Sequence, residues 1–396
     1  MRVQGKIINL LGYLISAIVL FVFLQIYCKY DYLHAEQFRM FRYSWDYAAP
    51  LLSSLSGWLT YGADFLTQFY VKPVYASLIH TLIFGLIVLG SDRILCRFLP
   101  SCIVPAFSIL LGLWMTILST GVDYKLEHTL LLLVVLAVLN VLVTFIHPVK
   151  YTLKPFKNKI LRVAIPFLLM IAAFHVGLQL FVRNHPAQST RLKVLEVMRW
   201  NKDWDGILKL PYMNRMPNAL YSSYQNLALA EKGKLDQFAQ YPQLFTPLGL
   251  WYENHGLQHE LMLLSDIYFV QGNVAMSQMM AFNAQAYGET TAQPHLMERL
   301  IETNLILGAY PVAEKYIGLL EETLYYKESA QHYRTFLNHP EAVEKDPVLG
   351  PLAQITQKLS GTTSSIDLDL EEILAVCPDY KPAQDYLNAF KLVNKK

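Results

Sequence analysis

The last long apolar run of the chain, between Lys159 and Arg183, constrains the fold more than any other feature. From Val163 to Val182 it contains no formally charged side chain. A helix rises 1.5 Å per residue, so about 20 such residues match a hydrocarbon core of about 30 Å. The run therefore predicts a final membrane crossing, with further apolar segments before it and water-soluble helices after it.

Four more apolar runs precede it. With the last one, they predict membrane spans at about residues 7–26, 73–90, 102–120, 128–147 and 160–182. The first run is longer than a signal-peptide core and lacks a small-residue cleavage site, so we expect an uncleaved helix. We predict an all-α protein, in which a transmembrane helix bundle of about five spans is followed by a TPR-like (tetratricopeptide-like) helical array.

This pattern divides the chain into two predicted domains. Residues 1–185 form the transmembrane region, with an aromatic-rich first loop at 27–72, and residues 186–396 form the soluble helical domain. Aromatic residues recur at helical spacing in the first loop, which predicts two short helices in or against the outer membrane surface. The alternative is that these rings pack the loop onto the bundle. The two aromatic sets are Phe38, Phe41 and Trp45, and Trp58, Tyr61, Phe65 and Phe69.

Lysine and arginine residues give the expected orientation. The N-terminal tail, the loop with Arg93 and Arg97, and the loop with Lys150, Lys154 and Lys157 are basic, and basic loops stay in the cytoplasm. Five spans then place the C-terminal domain on the opposite side, whereas an even number would reverse this. For a bacterial chain, we expect a multi-pass inner-membrane protein with a cytoplasmic N-terminus, a periplasmic helical domain and the lipid bilayer as a partner.

The C-terminal half shows three helix pairs in a common frame, each with a glycine between its two helices. Gly233, Gly272 and Gly308 are separated by 39 and 36 residues, close to the period of about 34 in tetratricopeptide repeats. Ser277 and Ala313 are small residues where two such helices must approach closely. Stacked helix pairs form concave surfaces that bind proteins or peptides, so we expect a protein or peptide partner.

Several functional classes lack support. The formal net charge is only +2 and no basic-aromatic patch is visible, so nucleic acid is not an expected partner. The four cysteines form no CxxC pair. His255 and His259 share the i,i+4 spacing, but Gly256 lies between them and no carboxylate pattern completes a ligand set. We therefore predict neither a metal site nor a cofactor.

A membrane glycosyltransferase of the GT-C type is the enzymatic alternative. That class places a catalytic carboxylate in the first extracytoplasmic loop, where it acts as a base toward the acceptor of a lipid-linked sugar. Asp31, Glu36 and Asp46 are the candidates for that base. Arg39 and Arg42 could hold a lipid phosphate. The small number of spans and the missing Asp-Asp motif count against this reading, so whether the chain is an enzyme stays open.

Polar residues inside the predicted spans form a second candidate. His175 and Gln179 are four residues apart and lie on one helical face, with Asn140 as a possible partner. Such groups can mark a transport pathway. We expect instead an interhelical hydrogen bond worth about 1 kcal/mol.

Long stretches of the sequence resemble a bacterial family of unknown function, whose members are polytopic membrane proteins with a TPR-like C-terminal region. The resemblance implies a membrane-anchored helical domain and no established activity or catalytic residue. The favoured function is accordingly a membrane-tethered scaffold or binding protein of the cell envelope. The stretches are NLALAEKGKL (226–235), RLIETNLILGAYPVAEKYIGLLEETLYY (299–326), YKPAQDYLNAFKLV (380–393), DYLHAEQFRMFRYSWDY (31–47) and GADFLTQFY (62–70).

Overall fold

The regular structure in a computed structural model of this chain is helical, and no β-strand occurs in the residues that it describes. The loop that carries Lys150, Lys154 and Lys157 lies outside these residues. The described ranges are 2–100, 102–119, 124–146, 159–184, 187–211, 213, 218–240, 247–250, 252–253, 255–287, 293–359, 361 and 365–394.

The chain forms two units. Met1–Glu36 and Trp45–Lys193 make up the first, which we call the bundle unit. Gln37–Ser44 and Val194–Lys396 make up the second, which we call the helical unit. A short piece of the first loop, Gln37–Ser44, thus belongs to the C-terminal part of the fold, whereas the sequence pattern assigned the whole loop to the transmembrane region. We refer to it as the first-loop segment.

All five predicted spans are helices of the bundle unit. Four of them, α1, α5, α7 and α8, are long and apolar enough to cross a membrane, whereas α6 is a shorter apolar helix. The helices that begin in this unit are α1 (Arg2–Tyr27), α2 (Lys29–Gln37), α3 (Trp45–Leu52), α4 (Leu55–Thr67), α5 (Pro73–Leu95), α6 (Val104–Ser119), α7 (Leu126–Val143), α8 (Lys159–Asn184) and α9 (Ala187–Trp200).

Helices α1, α5, α6 and α8 form a closed ring, and α7 packs on the outside of α5. The interior of the ring is filled by large apolar side chains, among them Leu20, Leu24, Phe84, Ile109 and Leu113. Apolar side chains such as Leu82 and Leu168 are exposed on the outer faces. A bundle that is apolar both inside and outside is suited to a lipid environment.

Contacts along the ring fix the direction of each helix. Helix α1 runs antiparallel to α5 and parallel to α8, and α5 runs antiparallel to α6. Helices α1, α6 and α8 therefore run in one direction, and α5 runs in the opposite direction. The defining pairs are Tyr13–Asp92 and Gln25–Pro73 for α1 and α5, Ser119–His80 and Gly112–Phe84 for α5 and α6, and Gly12–Met170 and Phe23–Phe181 for α1 and α8.

The first loop contains three α-helices, α2 to α4, and a short 3₁₀ helix at Gln68–Val71, where two helices were expected. Ser54 caps α4 by accepting a hydrogen bond from the Gly57 amide at 3.1 Å. The prediction of a helical face from Phe38, Phe41 and Trp45 is wrong, because residues 38–44 are not helical. Their backbone pairs with the helical unit instead of continuing α2. Trp58 and Phe65 are exposed on α4, and their contact with the membrane surface stays a prediction.

The helical unit contains the end of α9 and the helices that follow it. Between α11 and α12 lies a short 3₁₀ helix at Leu235–Gln240. The α-helices are α10 (Trp204–Lys209), α11 (Ala219–Glu231), α12 (Pro247–Leu250), α13 (Gln258–Gln271), α14 (Val274–Tyr287), α15 (Pro294–Ile306), α16 (Tyr310–Glu321), α17 (Lys327–Arg334), α18 (Pro340–Lys345), α19 (Leu349–Lys358), α20 (Ile366–Val376) and α21 (Lys381–Asn394).

The three predicted glycine turns are confirmed. Gly233, Gly272 and Gly308 have φ angles of +63°, +94° and +71°, which side chains with a Cβ rarely adopt. After each glycine, the next amide donates to the carbonyl four residues before the glycine, as in a Schellman motif. These hydrogen bonds are Lys234 N to Leu229 O, Asn273 N to Tyr268 O and Ala309 N to Asn304 O, at 2.8, 2.9 and 2.8 Å.

Small residues let the paired helices approach, as predicted. Ser277 and Ala313 are completely buried, and Ser265 on α13 donates to the Ser277 carbonyl on α14 at 2.8 Å. The first pair departs from this pattern, because its second member is only the 3₁₀ helix. The terminal helix α21 buries Tyr386 and Phe390.

The close approach of α5 and α6 generates a first prediction. A Cβ at Gly112 would lie 2.8 Å from the Phe84 ring, whereas a Cβ at Gly85 would meet nothing within 4 Å. Gly112→Ala overpacks the ring, so we expect a loss of about 1–3 kcal/mol of stability. Gly85→Ala is the matched control, and we expect it to be neutral or slightly stabilising. Thermal unfolding in detergent measures both, and equal midpoints would contradict the packing described for α6.

Candidate functional site

The first-loop segment is held at its beginning by the amide of Gln37. Its Nε2 donates to the Tyr326 hydroxyl at 2.7 Å, just before α17. Its Oε1 accepts from the His295 backbone amide at 3.4 Å. That amide belongs to the first turn of α15, where the N–H groups have no partner within the helix. One side-chain amide therefore binds at the beginnings of α15 and α17, two helices that are separated in the chain by α16.

The end of the segment is held by Glu322, the residue that follows α16. The Tyr43 amide donates to the Glu322 carbonyl at 2.7 Å. The Ser44 hydroxyl donates to the Glu322 carboxylate at 2.8 Å, and an Arg42 guanidinium nitrogen lies 3.3 Å from the same carboxylate. The backbone of the segment thus binds a carbonyl left free where α16 ends, and its side chains bind the carboxylate of the same residue.

Between these two ends, the segment buries two apolar side chains. Met40 is 5% exposed and Phe41 is 3% exposed. Met40 belongs to the main apolar cluster of the helical unit, which also contains Leu296 and Ala330. Full burial of a side chain of this size contributes about 1.5–3 kcal/mol. The segment is therefore held by apolar burial in the middle and by hydrogen bonds at both ends.

The helices α9, α13 and α15 are joined by a buried charge cluster. Arg199 of α9 donates to Asp266 of α13. Arg299 of α15 donates to the other oxygen of that carboxylate at 2.8 Å. The Arg299 guanidinium also lies 3.6 Å from the centre of the Phe269 ring. The Arg199 side chain is completely buried, so its charge depends on Asp266 for compensation.

The cluster continues from α15 to α17. Arg299 lies 2.8 Å from the Glu302 carboxylate, which accepts from the Tyr333 hydroxyl at 3.0 Å. Glu298 accepts from the Ser329 hydroxyl at 2.6 Å. Burial, together with the nearby carboxylates of Glu302 and Glu298, raises the pKa of Tyr333 well above its ordinary value. The tyrosine therefore stays protonated and acts as a donor.

The electrostatics of Asp266 follow from its two arginine partners. Burial by itself would raise the pKa of this carboxyl group. The guanidiniums of Arg199 and Arg299 outweigh that effect and hold the pKa of Asp266 well below its usual range. Asp266 consequently stays ionised, and the cluster acts as a fixed electrostatic link between helices rather than as an acid or base.

A family model described as a family of unknown function, DUF6057, matches residues 5–177 and 143–396. The chain belongs to this family. Comparisons with curated proteins and with solved structures gave no match. The match covers both units of the DUF6057 chain, which accords with the resemblance seen in the first loop and in the helix pairs.

The three carboxylates proposed as a glycosyltransferase base lie in different surroundings in this DUF6057 protein. Asp31 on α2 is buried and accepts from Lys193 at 2.7 Å. Glu36 is also buried, near the end of α2, whereas Asp46 is exposed in the first turn of α3. The ion pair with Lys193 stabilises an ionised Asp31 but also covers it. The enzymatic reading of these residues stays a prediction.

The two arginines proposed to hold a lipid phosphate both lie in the first-loop segment. Arg42 is directed to the Glu322 carboxylate, and Arg39 is half-buried. Sequence reasoning singled out this arginine pair but not its acidic partner, because Glu322 lies in a helix-end sequence, EETLYY, that reads as a solvated surface.

The polar residues inside the spans make local hydrogen bonds. Asn140 on α7 donates to the Gly90 carbonyl on α5 at 3.1 Å, as an interhelical hydrogen bond. His175 and Gln179 lie 2.8 Å apart on one exposed face of α8. Among the described residues, Asn140 therefore bonds to α5 and not to His175.

One further polar cluster in the bundle unit was not found by sequence reasoning. His80 lies 2.7 Å from the Tyr70 hydroxyl and 3.3 Å from the Ser119 hydroxyl. The Tyr32 ring stacks on the imidazole with centroids 5.0 Å apart. These contacts tie α2, α5 and α6 together at one end of the ring.

The charge cluster predicts an acid-sensitive contribution to stability. Because the pKa of Asp266 is lower in the folded than in the unfolded chain, its stabilising effect is present above the unfolded value of about 3.9. It is lost as the pH falls below that value. We expect Asp266→Asn to cost about 3–5 kcal/mol at neutral pH, because it removes the buried carboxylate that the Arg199 and Arg299 guanidiniums share.

The control is Asp205→Asn, which removes an exposed pair with Lys232 and should leave stability nearly unchanged. The measurement is the unfolding midpoint of the full chain in detergent between pH 7 and pH 3. An Asp266→Asn protein that loses as much stability on acidification as the wild type would contradict the assignment.

Proposed function

We propose that this protein is a membrane-anchored scaffold whose TPR-like helical array, on the periplasmic side of a bacterial inner membrane, binds a polypeptide partner in a non-helical conformation. The observation that carries this proposal is the first-loop segment, whose residues 38–44 are held by the helical unit in a non-helical conformation. Hydrogen bonds at helix ends and a central apolar pair are the means of recognition.

The TPR-like architecture is supported by the regular spacing of contacts between successive helix pairs. Glu298 bonds to Ser329, Glu302 to Tyr333, and Gln285 to Tyr316, and in each case the partners are 31 residues apart. First helices therefore contact first helices, and second helices contact second helices. This is the arrangement of a stack of helix hairpins, in which each pair buries its apolar face against the next.

The proposal of five membrane crossings, with α6 among them, is supported by the position of the first-loop segment. Gln37–Ser44 and Val194–Lys396 belong to one unit, so both must lie on the same side of a membrane. The chain between them must then cross an even number of times. Helices α5, α7 and α8 supply three crossings, and α6 supplies the fourth. Its 16 residues span roughly 24 Å, which local thinning of the bilayer can accommodate.

The side of the array is proposed from the basic residues. Arg93 and Arg97 lie at the end of α5, and Arg97 donates to the Ile146 carbonyl just beyond α7 at 3.0 Å. The ends of α5 and α7 thus share one side, which we assign to the cytoplasm by the positive-inside rule. The first-loop segment and the array then lie outside the cytoplasm.

Cysteine labelling tests this topology. One variant keeps only Cys96, which is exposed, and has Cys28, Cys102 and Cys377 changed to Ser. A second variant adds Leu324→Cys to a background without native cysteines. We expect a membrane-impermeant maleimide to label residue 324 in cells with a permeable outer membrane, and residue 96 only after the inner membrane is opened. Labelling of both residues under the same condition would contradict five crossings.

Site-specific photocrosslinking tests the binding function. Leu324, close to the segment's contacts, and Leu392, on α21, have similar exposures of 49% and 45%, so the second is a matched control. With a photoreactive residue at 324, we expect a discrete crosslinked polypeptide in living cells that is absent at 392. Equal or no crosslinking at the two positions would argue against a binding function at this surface.

A further inference from the structure

We infer that the first-loop segment is a competing occupant of the array's own partner site, and that the partner is an extended polypeptide carrying an apolar pair followed by an arginine. This inference rests on the proposed function and specifies its ligand. The site consists of the beginnings of α15 and α17, the end of α16 and the apolar surface between them.

The site selects for the chemistry of its present occupant. The Tyr326 hydroxyl accepts from the Gln37 amide and the His295 amide donates to it, and a Gln or Asn side chain can make both hydrogen bonds with one group. The apolar cluster around Leu296 takes up Met40. The Glu322 carboxylate accepts from a hydroxyl and lies beside a guanidinium. An acidic ligand would meet Glu322 with like charge.

The segment is held in a way that permits exchange. The Arg42–Glu322 pair keeps 23% and 34% of its side-chain surface exposed, so it contributes little to stability. Residues 38–44 are not helical, and the hydrogen bonds described above for the segment involve neither the glycine turns nor the side chains of Arg199, Asp266 and Arg299. Release of the segment requires these bonds to break and Met40 to leave the apolar cluster, and a ligand that makes the same contacts can offset both losses.

Covalent attachment makes the segment an effective competitor. A short tether gives an intramolecular ligand an effective concentration in the millimolar range. A free ligand therefore binds with an apparent affinity reduced by the fraction of molecules in which the site is open. Weakening the segment, without altering the site, should raise the apparent affinity for a ligand supplied in trans.

The experiment uses the full-length protein in detergent and a fluorescent peptide with the sequence of residues 37–44, QFRMFRYS. The variant Met40→Asp/Phe41→Asp weakens the segment, and fluorescence anisotropy measures peptide affinity. We expect this variant to bind the peptide at least tenfold more tightly than the wild type. Adding Glu322→Lys should abolish the gain, because the site itself then repels the peptide's arginines. A peptide with Asp in place of Met and Phe should not bind.

If the double variant does not fold, Gln37→Ala/Ser44→Ala makes the same comparison, because it removes hydrogen bonds without altering the buried apolar pair. For this variant, we expect a threefold or greater gain. Equal affinity in the wild type and all weakened variants would overturn the competition while leaving a binding function in place. Absence of peptide binding to folded, weakened variants would overturn the proposed ligand chemistry, and crosslinking at residue 324 would then decide separately whether the binding function stands.

Discussion

The hydrogen bonds between Glu322 and the first-loop segment connect distant parts of the chain. Ser44 and Glu322, for example, are 278 residues apart. A non-helical segment that buries Met40 and Phe41 must find partners for its backbone groups, and the ends of helices offer them. The segment therefore becomes part of the helical unit rather than of the loop from which it comes. Much of the organisation of the chain depends on this placement, including the proposed even number of crossings between Ser44 and Val194.

The buried charge cluster performs a different role in the same unit. Arg199, Asp266 and Arg299 lie on three different helices, and the desolvation of their charges offsets most of the attraction between them. Such a cluster adds little to net stability compared with an apolar core. It does require that the three helices meet in one register, because any shift leaves a buried guanidinium without its carboxylate. The charge cluster thus fixes how the three helices pack against one another, and the glycine turns fix where the first helix of each pair ends.

The elements that could be predicted from the sequence are those specified by residues close together in the chain. The five apolar runs were correctly predicted as helices because their length and hydropathy are a local signal. Gly233, Gly272 and Gly308 were correctly predicted as helix ends because a positive φ angle strongly favours glycine. The first-loop segment was misjudged because Phe38, Phe41 and Trp45 have helical spacing by coincidence. Met40, between these residues, packs into the apolar cluster of the distant helical unit, and no local sequence pattern indicates such a contact.

Most of the candidate site could not be predicted from the sequence for a similar reason. Glu322, Tyr326 and His295 are ordinary polar residues at helix ends, and their significance arises only when the first-loop segment reaches them. Arg42 was identified from the sequence as a candidate phosphate-binding residue. In the structure its partner is the Glu322 carboxylate, a group that the sequence did not place near it. The sequence around Asp266 and Arg299 does not indicate that both residues are buried, because the helices that cover them come from other parts of the chain.

Hydrogen–deuterium exchange of the full-length protein tests the central claim most directly. The claim is that the first-loop segment is an integral part of the helical unit. Leu300→Ala removes a fully buried side chain of the helical unit, and Leu20→Ala removes one of the bundle unit. We predict that peptides covering residues 38–44 are protected in the wild type, and that their protection falls together with that of α16 in Leu300→Ala but not in Leu20→Ala. Exchange of this segment at the rate of an unstructured chain in the wild type, or loss of protection only in Leu20→Ala, would contradict the account.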